Sequence, residues 1–177
     1  MSKLEDLVLS YNAGSALAFR EHAYAPAETA LLLQDVLALA NAEVPGPRFL
    51  FLGVRDVAGA KRVLTGLSAA GVSAMRRAMP ALLARSIEPP FKIALRALTI
   101  RGATIGLLYL SECDDQPYLL AKSAAGLPAG IGWVRRGTQQ SPLLRADLQR
   151  MFAAKRERST PPFDAASTAR TARIRAG

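Results

Sequence analysis

The sequence predicts one globular domain that contains both α-helices and β-strands, and three observations support this. The chain has 177 residues, 50% of them hydrophobic and 21% charged, so it is long enough and apolar enough to form a core. Apolar residues recur at helical spacing in three segments. Elsewhere they alternate with polar residues or run continuously, as they do in strands.

The first elements predicted are a short strand, a buried helix and a central strand. Residues 16–22 have the pattern of an extended segment. Pro26 precedes a helix over about 27–42, and the apolar residues of that helix cover most of its circumference. The continuous apolar run over residues 49–54 predicts a strand that is covered on both faces.

A loop and a second helix follow. Residues 55–71 are interrupted by three glycines and are predicted to form a loop. Ser73 is a suitable N-cap residue, because its hydroxyl can accept a hydrogen bond from a free backbone N–H of the first turn. We therefore expect a helix over 74–85.

Two strands joined by a tight turn come next. Residues 91–97 alternate with a period of two, which places Lys92 and Arg96 on the same polar face of a strand. The dipeptide Arg101-Gly102 has the composition of a two-residue hairpin turn. The second strand of this hairpin is predicted over residues 104–110.

The end of the chain predicts a last helix and a tail. Ser141-Pro142 is a favourable helix start, and the helix is expected to end at about Arg158 with Leu144 and Phe152 among its core-facing residues. The following residues, 159–177, are rich in Ser, Thr, Ala and Arg and lack the apolar residues that a core needs. We expect them to form a flexible basic tail with no fixed structure.

Basic residues are concentrated near the C-terminal end. Residues 131–177 hold ten Lys and Arg against three Asp and Glu, whereas residues 1–130 hold thirteen against eleven. Most of the formal net charge of +9 therefore lies in the last quarter of the chain. Such a positive field attracts polyanions, among which nucleic acid is the commonest partner. The alternative is a solvated surface that only keeps the protein soluble.

Several kinds of chemistry find no support in the sequence. It has no GxxxxGK[ST] phosphate loop, its one Cys and one His cannot form a structural zinc site, and no serine lies in a nucleophile elbow. We therefore expect no cofactor and no metal. No apolar run reaches about eighteen residues, and the N-terminus lacks a signal-peptide pattern. We expect a cytoplasmic protein without a membrane partner.

Five groups of short segments occur in an order that a known family shares. They are Leu17-Ala18-Phe19-Arg20, Leu39-Ala40-Asn41-Ala42, Leu52-Gly53-Val54-Arg55-Asp56 with its following glycines, the prolines of Pro89-Pro90 and Gln116-Pro117-Tyr118, and Trp133-Val134-Arg135-Arg136-Gly137-Thr138. Together they resemble the Schlafen AlbA-type DNA-binding domain family, over about residues 17–152. The resemblance implies an α+β domain over residues 1–158, with a small mixed β-sheet and helices packed on it. It also implies nucleic-acid binding in regulation or defence.

Some members of this family cleave transfer or ribosomal RNA with three carboxylates and a divalent metal. The resemblance places two of those carboxylates at Ala13 and Ala18 and leaves only Asp56 as a residual acidic site. One aspartate cannot hold the cation and stabilise the developing charge by itself. We therefore predict a non-catalytic binder. The alternatives are a metal-dependent ribonuclease with a rearranged acidic site and a homodimeric protein-interaction module.

Arginine suits a phosphate ligand because its planar guanidinium group donates two parallel hydrogen bonds. The candidate nucleic-acid contacts are Arg20, Lys92, Arg96, Arg135, Arg136, Arg145, Arg150, Lys155 and Arg156. Aromatic residues are scarce near the basic segment, which favours contact with a duplex backbone over stacking on single-stranded bases. We expect DNA rather than RNA as the partner, and we expect Trp133 to be a core residue.

Overall fold

The structure is a computed structural model that describes residues 2–57 and 59–159. The elements, in chain order, are α1 (Lys3–Leu9), β1 (Leu17–Arg20), a 3₁₀ turn (Pro26–Glu28), α2 (Thr29–Ala40), β2 (Arg48–Leu52), β3 (Val54–Arg55), β4 (Val63–Leu64), α3 (Ala69–Ser86), β5 (Ile87–Glu88), β6 (Lys92–Ile100), β7 (Ala103–Glu112), β8 (Leu119–Leu120), β9 (Trp133–Arg136), β10 (Gln139–Pro142) and α4 (Arg145–Ser159). This α+β composition confirms the predicted fold class. None of the helices described is both long and apolar enough to cross a membrane.

A four-stranded mixed sheet lies at the centre, with strand order β1-β2-β7-β6. β1 and β2 are parallel, whereas β7 is antiparallel to both of its neighbours. The turn at Arg101-Gly102 joins β6 to β7, as predicted, and both of its residues have positive φ. The remaining strands form three short antiparallel pairs, β3 with β4, β5 with β8 and β9 with β10.

The sheet has a hydrophobic core on each face. Leu50 and Leu52 of β2 pack with residues of α2 and α3, while Phe51 packs with α1 on the other face. β2 is therefore covered on both sides, which confirms the prediction from its continuous apolar run. α2 is buried over most of its surface, also as predicted, because it lies between the sheet and the β9–β10 hairpin.

The segment predicted as a loop over residues 55–71 contains more structure than expected. β3 and β4 pair within it, and α3 begins at Ala69 instead of residue 74. The N-cap is Ser68, not Ser73, because the Ser68 hydroxyl accepts the Gly71 N–H at 3.1 Å. Gly53, just before this segment, has a φ of +88° and lies close to the backbone of Gly66. A Cβ atom at position 53 would come within 3.0 Å of the Gly66 carbonyl carbon.

The predicted start of the last helix is wrong. Residues 139–142 form β10, which pairs with β9 through a two-residue turn whose Gly137 has a φ of +59°. α4 begins at Arg145 because the Asp147 carboxylate accepts the Leu144 N–H at 3.0 Å and caps the first turn. The face of α4 that packs on the protein therefore differs from the predicted one. Asp147 is buried, while Leu144 and Phe152, which were predicted to face the core, are 67% and 48% exposed.

The predicted tail, residues 159–177, lies outside the described residues except for Ser159, which ends α4.

The end of α2 is joined to two distant segments by one buried amide. Asn41 is 0% exposed, and its Nδ2 donates to the carbonyl oxygens of Tyr118 (2.8 Å) and Trp133 (2.9 Å). Its Oδ1 accepts the Tyr118 N–H at 2.7 Å. Asn41 thereby fixes the first residue of β9, and the Trp133 side chain is buried as predicted.

We predict that Asn41→Ala lowers the free energy of unfolding by about 3 kcal/mol or more, because three buried backbone groups lose their partners. Urea denaturation followed by circular dichroism measures the change. Asn12→Ala, a truncation of an exposed asparagine, is the matched control and should cost less than about 0.5 kcal/mol. Equal stabilities for the two variants would contradict a clamping role for Asn41.

Candidate functional site

Two adjoining clefts open at the β1 edge of the sheet. The first has a volume of about 840 Å³ and is lined by the end of α1, the segment between β3 and β4, and the turn of the β9–β10 hairpin. The second, of about 370 Å³, lies between β1, α2 and β10. Phe19, Arg135 and Thr138 line both clefts, so Arg135 stands where they meet.

Arg135 is a half-buried cation with unused hydrogen-bonding capacity. Its Nε donates to the Gly14 carbonyl oxygen at 2.8 Å, which fixes the orientation of the guanidinium plane. Its two terminal nitrogens bond to no described residue, and no described carboxylate forms an ion pair with it. Burial away from water lowers the pKa of Arg135, and the charge of Asp35 opposes that effect. The guanidinium group thus lines the clefts without a direct ion pair to a described carboxylate, and Asp35 is the carboxylate whose charge acts on it.

The β9–β10 hairpin holds Arg135 in this position. Asn41 fixes its first residue, and the Gly137 N–H at its turn donates to Ser15 Oγ at 2.7 Å. Gln140 of β10 lies directly opposite Arg135 in the ladder. The hairpin also packs against α2 along its length. Arg135 is thus supported by contacts on both sides of its strand.

The first cleft contains two cations that the sequence analysis missed, Lys61 and Arg62. Arg62 Nε pairs with Asp56 Oδ1 at 2.8 Å, and its guanidinium carbon lies 4.0 Å from the centre of the Phe19 ring. Lys61 is exposed and forms no ion pair within the described part of the chain. The signal in the sequence was a basic dipeptide within the glycine-rich segment that was predicted to be a loop.

The three positions that the resemblance assigns to nuclease carboxylates do surround these clefts. Ala13 and Asp56 line the first cleft, and Ala18 lines the second. The charge of Asp56 is balanced by Arg62, so this carboxylate is not a free ligand. Over residues 2–57 and 59–159, no three His, Cys, Asp or Glu side chains lie close enough together to hold a metal ion.

Arg20 lines the second cleft and is paired within the protein. It forms an ion pair with Glu28, and its guanidinium carbon lies 4.4 Å from the centre of the Tyr24 ring. Its Nε is buried and bonds to no protein atom. Arg20 and Arg135 are the two predicted contacts that the structure brings together at the clefts.

Arg136 and Arg150 belong to a separate network that joins the hairpin to α4. Both donate to Asp147, at 2.6 Å and 2.8 Å, and Arg150 also forms two hydrogen bonds with Glu43. Two cations face two carboxylates, so the network is neutral overall. The Leu144 N–H and Arg150 lower the pKa of Asp147, and the hydrogen bonds from Arg150 lower that of Glu43.

The other predicted contacts lie elsewhere on the surface. Lys92 and Arg96 are on β6, at the opposite edge of the sheet from β1, and Lys92 pairs with Glu112 at 2.8 Å. Lys155 pairs with Asp115. Arg145 and Arg156 are exposed on α4. The nine predicted contacts therefore do not form one surface, and a role for these five stays a prediction.

Two of the aromatic residues near the basic segment are not available for base stacking. Trp133 is 7% exposed and Tyr118 is 1% exposed, and both belong to the core. The Phe19 ring stacks on the Phe51 ring, and the guanidinium group of Arg62 also lies over the Phe19 ring. The clefts therefore present charge and hydrogen-bonding groups rather than exposed aromatic rings of Trp133 or Tyr118.

No protein-family model and no curated protein sequence matches this chain. Among solved structures, it is similar to the N-terminal domain of a RecG-related protein from Nitrosomonas europaea, with a TM-score of 0.51 and 20% identity over 82% of this chain and 94% of that one. A Corynebacterium diphtheriae protein gives a TM-score of 0.48 and 17% identity, over 89% of this chain and 28% of that one. At such identities, the first likeness establishes a shared fold.

We predict that the Asp147–Glu43 network makes stability depend on acid pH. The folded state lowers the pKa of both carboxyl groups, so their stabilising contribution is complete above the unfolded values near pH 4 and is lost as the pH falls through the folded values. Urea denaturation between about pH 6 and pH 2 measures this loss. Asp147→Asn should flatten the profile, whereas Asp114→Asn, a change at an exposed carboxylate, should not. Parallel profiles for the two variants would contradict the role assigned to Asp147.

Proposed function

We propose that this domain binds nucleic acid, DNA in preference to RNA, through arginine–phosphate contacts at the two clefts. The observation that carries the proposal is the state of Arg135, which is half-buried, oriented through Nε and in no ion pair with a described carboxylate. A phosphate oxygen pair would accept hydrogen bonds from both free terminal nitrogens and place negative charge in direct contact with the guanidinium group.

The charge of the clefts supports this proposal. Four cations line them, Arg20, Lys61, Arg62 and Arg135, against two carboxylates, Asp35 and Asp56, and Arg20 is also paired with Glu28. Four positive and three negative charges leave an excess of one positive charge. Such an excess attracts a polyanion and concentrates it at the site. Lys61 is exposed at the rim, where an ammonium group contributes to affinity without fixing a geometry.

The choice of DNA has separate support. The Nitrosomonas europaea protein that shares this fold is named for its relation to an ATP-dependent DNA helicase. Asp56 is paired with Arg62, and no second carboxylate lines the first cleft among the residues that the structure describes, which favours binding over metal-dependent cleavage. We therefore propose a non-catalytic binding domain.

We predict salt-dependent binding that Arg135→Met weakens about tenfold, because one charge-assisted phosphate contact is lost. The measurement is fluorescence anisotropy with labelled duplex DNA, single-stranded DNA and an RNA hairpin at several salt concentrations. The slope of log affinity against log salt should fall by about one in the variant. Arg76→Met is the matched control, because Arg76 is an exposed arginine on α3 that lines neither cleft.

Two results would overturn the proposal. One is the absence of binding to all three probes at near-physiological salt. The other is an equal loss of affinity in Arg135→Met and Arg76→Met, which would assign the binding to overall charge instead of to the clefts. Cleavage of a probe that requires magnesium would contradict the non-catalytic assignment, and Asp56→Ala would then identify whether this site is responsible.

A further inference from the structure

The second cleft differs from a simple phosphate-binding groove. Its lining includes the apolar residues Ala18, Leu31, Leu39 and Leu50. The polar residues of the lining, here called its rim, include Arg20, Asp35, Arg135, Thr138 and Gln140. A concave site of about 370 Å³ with several convergent polar groups can accommodate a small polar ligand.

Asp35 is the most unusual residue of this rim. It is the only charged residue within α2, a helix that is otherwise largely apolar and buried. Its carboxylate forms no ion pair with any of the residues that the structure describes. The charge of Asp35 does act on Arg135, where burial lowers the pKa and that charge opposes the lowering, but no described cation lies within ion-pair distance of the carboxylate. Asp35 therefore loses part of its solvation without a direct ionic partner among the described residues.

A tyrosine holds the Asp35 carboxylate in place. Tyr24 Oη donates to Asp35 Oδ2 at 2.5 Å. Burial, together with the charge of Asp35, raises the pKa of Tyr24 well above its ordinary value, so the phenol keeps its proton and remains the donor. Asp35 Oδ1 accepts no hydrogen bond from a described residue. This oxygen is therefore an oriented acceptor with free capacity on the rim.

Other rim groups also have unused hydrogen-bonding capacity. The side chains of Thr138 and Gln140 bond to no residue of the described chain, and Gln140 lies opposite Arg135 across the hairpin. The second cleft thus offers a fixed carboxylate acceptor and an amide that both donates and accepts.

We propose that the second cleft binds one unpaired nucleobase that carries an exocyclic amino group, adenine, cytosine or guanine, next to the phosphate that Arg135 holds. This inference rests on the proposed nucleic-acid binding and specifies which part of the ligand enters the cleft. The Asp35 carboxylate accepts the amino hydrogens, as acidic side chains do from cytosine N4. The Gln140 amide completes the pattern along the same base edge.

The chemistry disfavours thymine and uracil. These bases have no amino group, and their one donor on this edge, the N3–H, lies between two carbonyl oxygens. When N3–H approaches the Asp35 carboxylate, the neighbouring carbonyl oxygens are repelled by it, so the contact is weaker than one with an amino group. The base must also be unpaired, since stacking and pairing within a duplex keep it from entering the cleft, although one amino hydrogen stays accessible in the major groove. The cleft therefore predicts a preference for single strands, ends or flipped bases over an intact duplex, which is the opposite of the expectation from the scarcity of aromatic residues.

The test compares labelled oligo(dC), oligo(dA) and oligo(dT) of equal length by fluorescence anisotropy at one salt concentration. The wild-type protein should bind oligo(dC) and oligo(dA) about five to ten times more tightly than oligo(dT). Asp35→Asn should remove most of this preference and leave oligo(dT) affinity unchanged or raised. Asp114→Asn carries the same loss of charge outside both clefts and should preserve the wild-type ratios.

Gln140→Leu provides a second, independent variant, because Gln140 is on the exposed hairpin and makes no contact that the fold requires. It should also reduce the preference, by about threefold or more. Circular dichroism of each variant establishes that it is folded. If Asp35→Asn fails to fold, the ratio of oligo(dC) to oligo(dT) affinity in Gln140→Leu decides whether the nucleobase assignment stands.

The outcomes separate this inference from the proposed function. Equal binding of the three oligonucleotides, or a preference that neither variant changes, would overturn the nucleobase assignment while phosphate binding through Arg135 stands. Tighter binding to duplex DNA than to oligo(dC) or oligo(dA) would overturn it as well. The absence of binding to every oligonucleotide and to duplex DNA would overturn both.

Discussion

The arrangement of the clefts depends on the buried amide of Asn41. Strands β9 and β10 are not part of the central sheet, so no ladder of hydrogen bonds fixes them to it. Their position is set instead where the Asn41 side chain bonds to the backbone at Trp133, and where Ser15 and Gly14 accept hydrogen bonds from the hairpin. The same amide bonds to the backbone of Tyr118. A polar group at the end of an apolar helix thus acts together with Ser15 and Gly14 to determine where Arg135 lies.

The distribution of carboxylates decides which basic residues remain available to a ligand. Arg136 and Arg150 face Asp147 and Glu43 and serve to attach α4 to the hairpin. Arg135, the neighbour of Arg136 in sequence, projects to the other side of its strand and has no carboxylate partner among the described residues. Two adjacent arginines therefore have different roles, one in stability and one directed to the clefts.

The sequence was sufficient for the fold class and for the elements whose patterns are strong, including β2, α2 and the β6–β7 hairpin. It failed at Ser141-Pro142, where a favourable helix start lies in β10, because pairing with β9 across Gly137-Thr138 outweighs a local capping preference. It also grouped Arg20 with Lys92 and Arg96. Arg20 lies on β1 at one edge of the sheet, whereas Lys92 and Arg96 lie on β6 at the other edge. The order of strands in a sheet depends on pairing between segments far apart in the chain, and the local patterns of a single sequence do not reveal that pairing.

Asp35 shows what kind of signal a sequence does contain for a site of this type. A single charge in the run Thr-Ala-Leu-Leu-Leu-Gln-Asp-Val-Leu-Ala-Leu-Ala is unfavourable for a buried helix, whose other positions are mostly selected for packing. Local consistency among propensity, burial and charge is the usual condition for a stable fold, and departures from it tend to occur where a protein acts. Here the departure lies in the same cleft as Arg135, so the charge that interrupts the apolar pattern of α2 acts on the arginine that forms no direct ion pair.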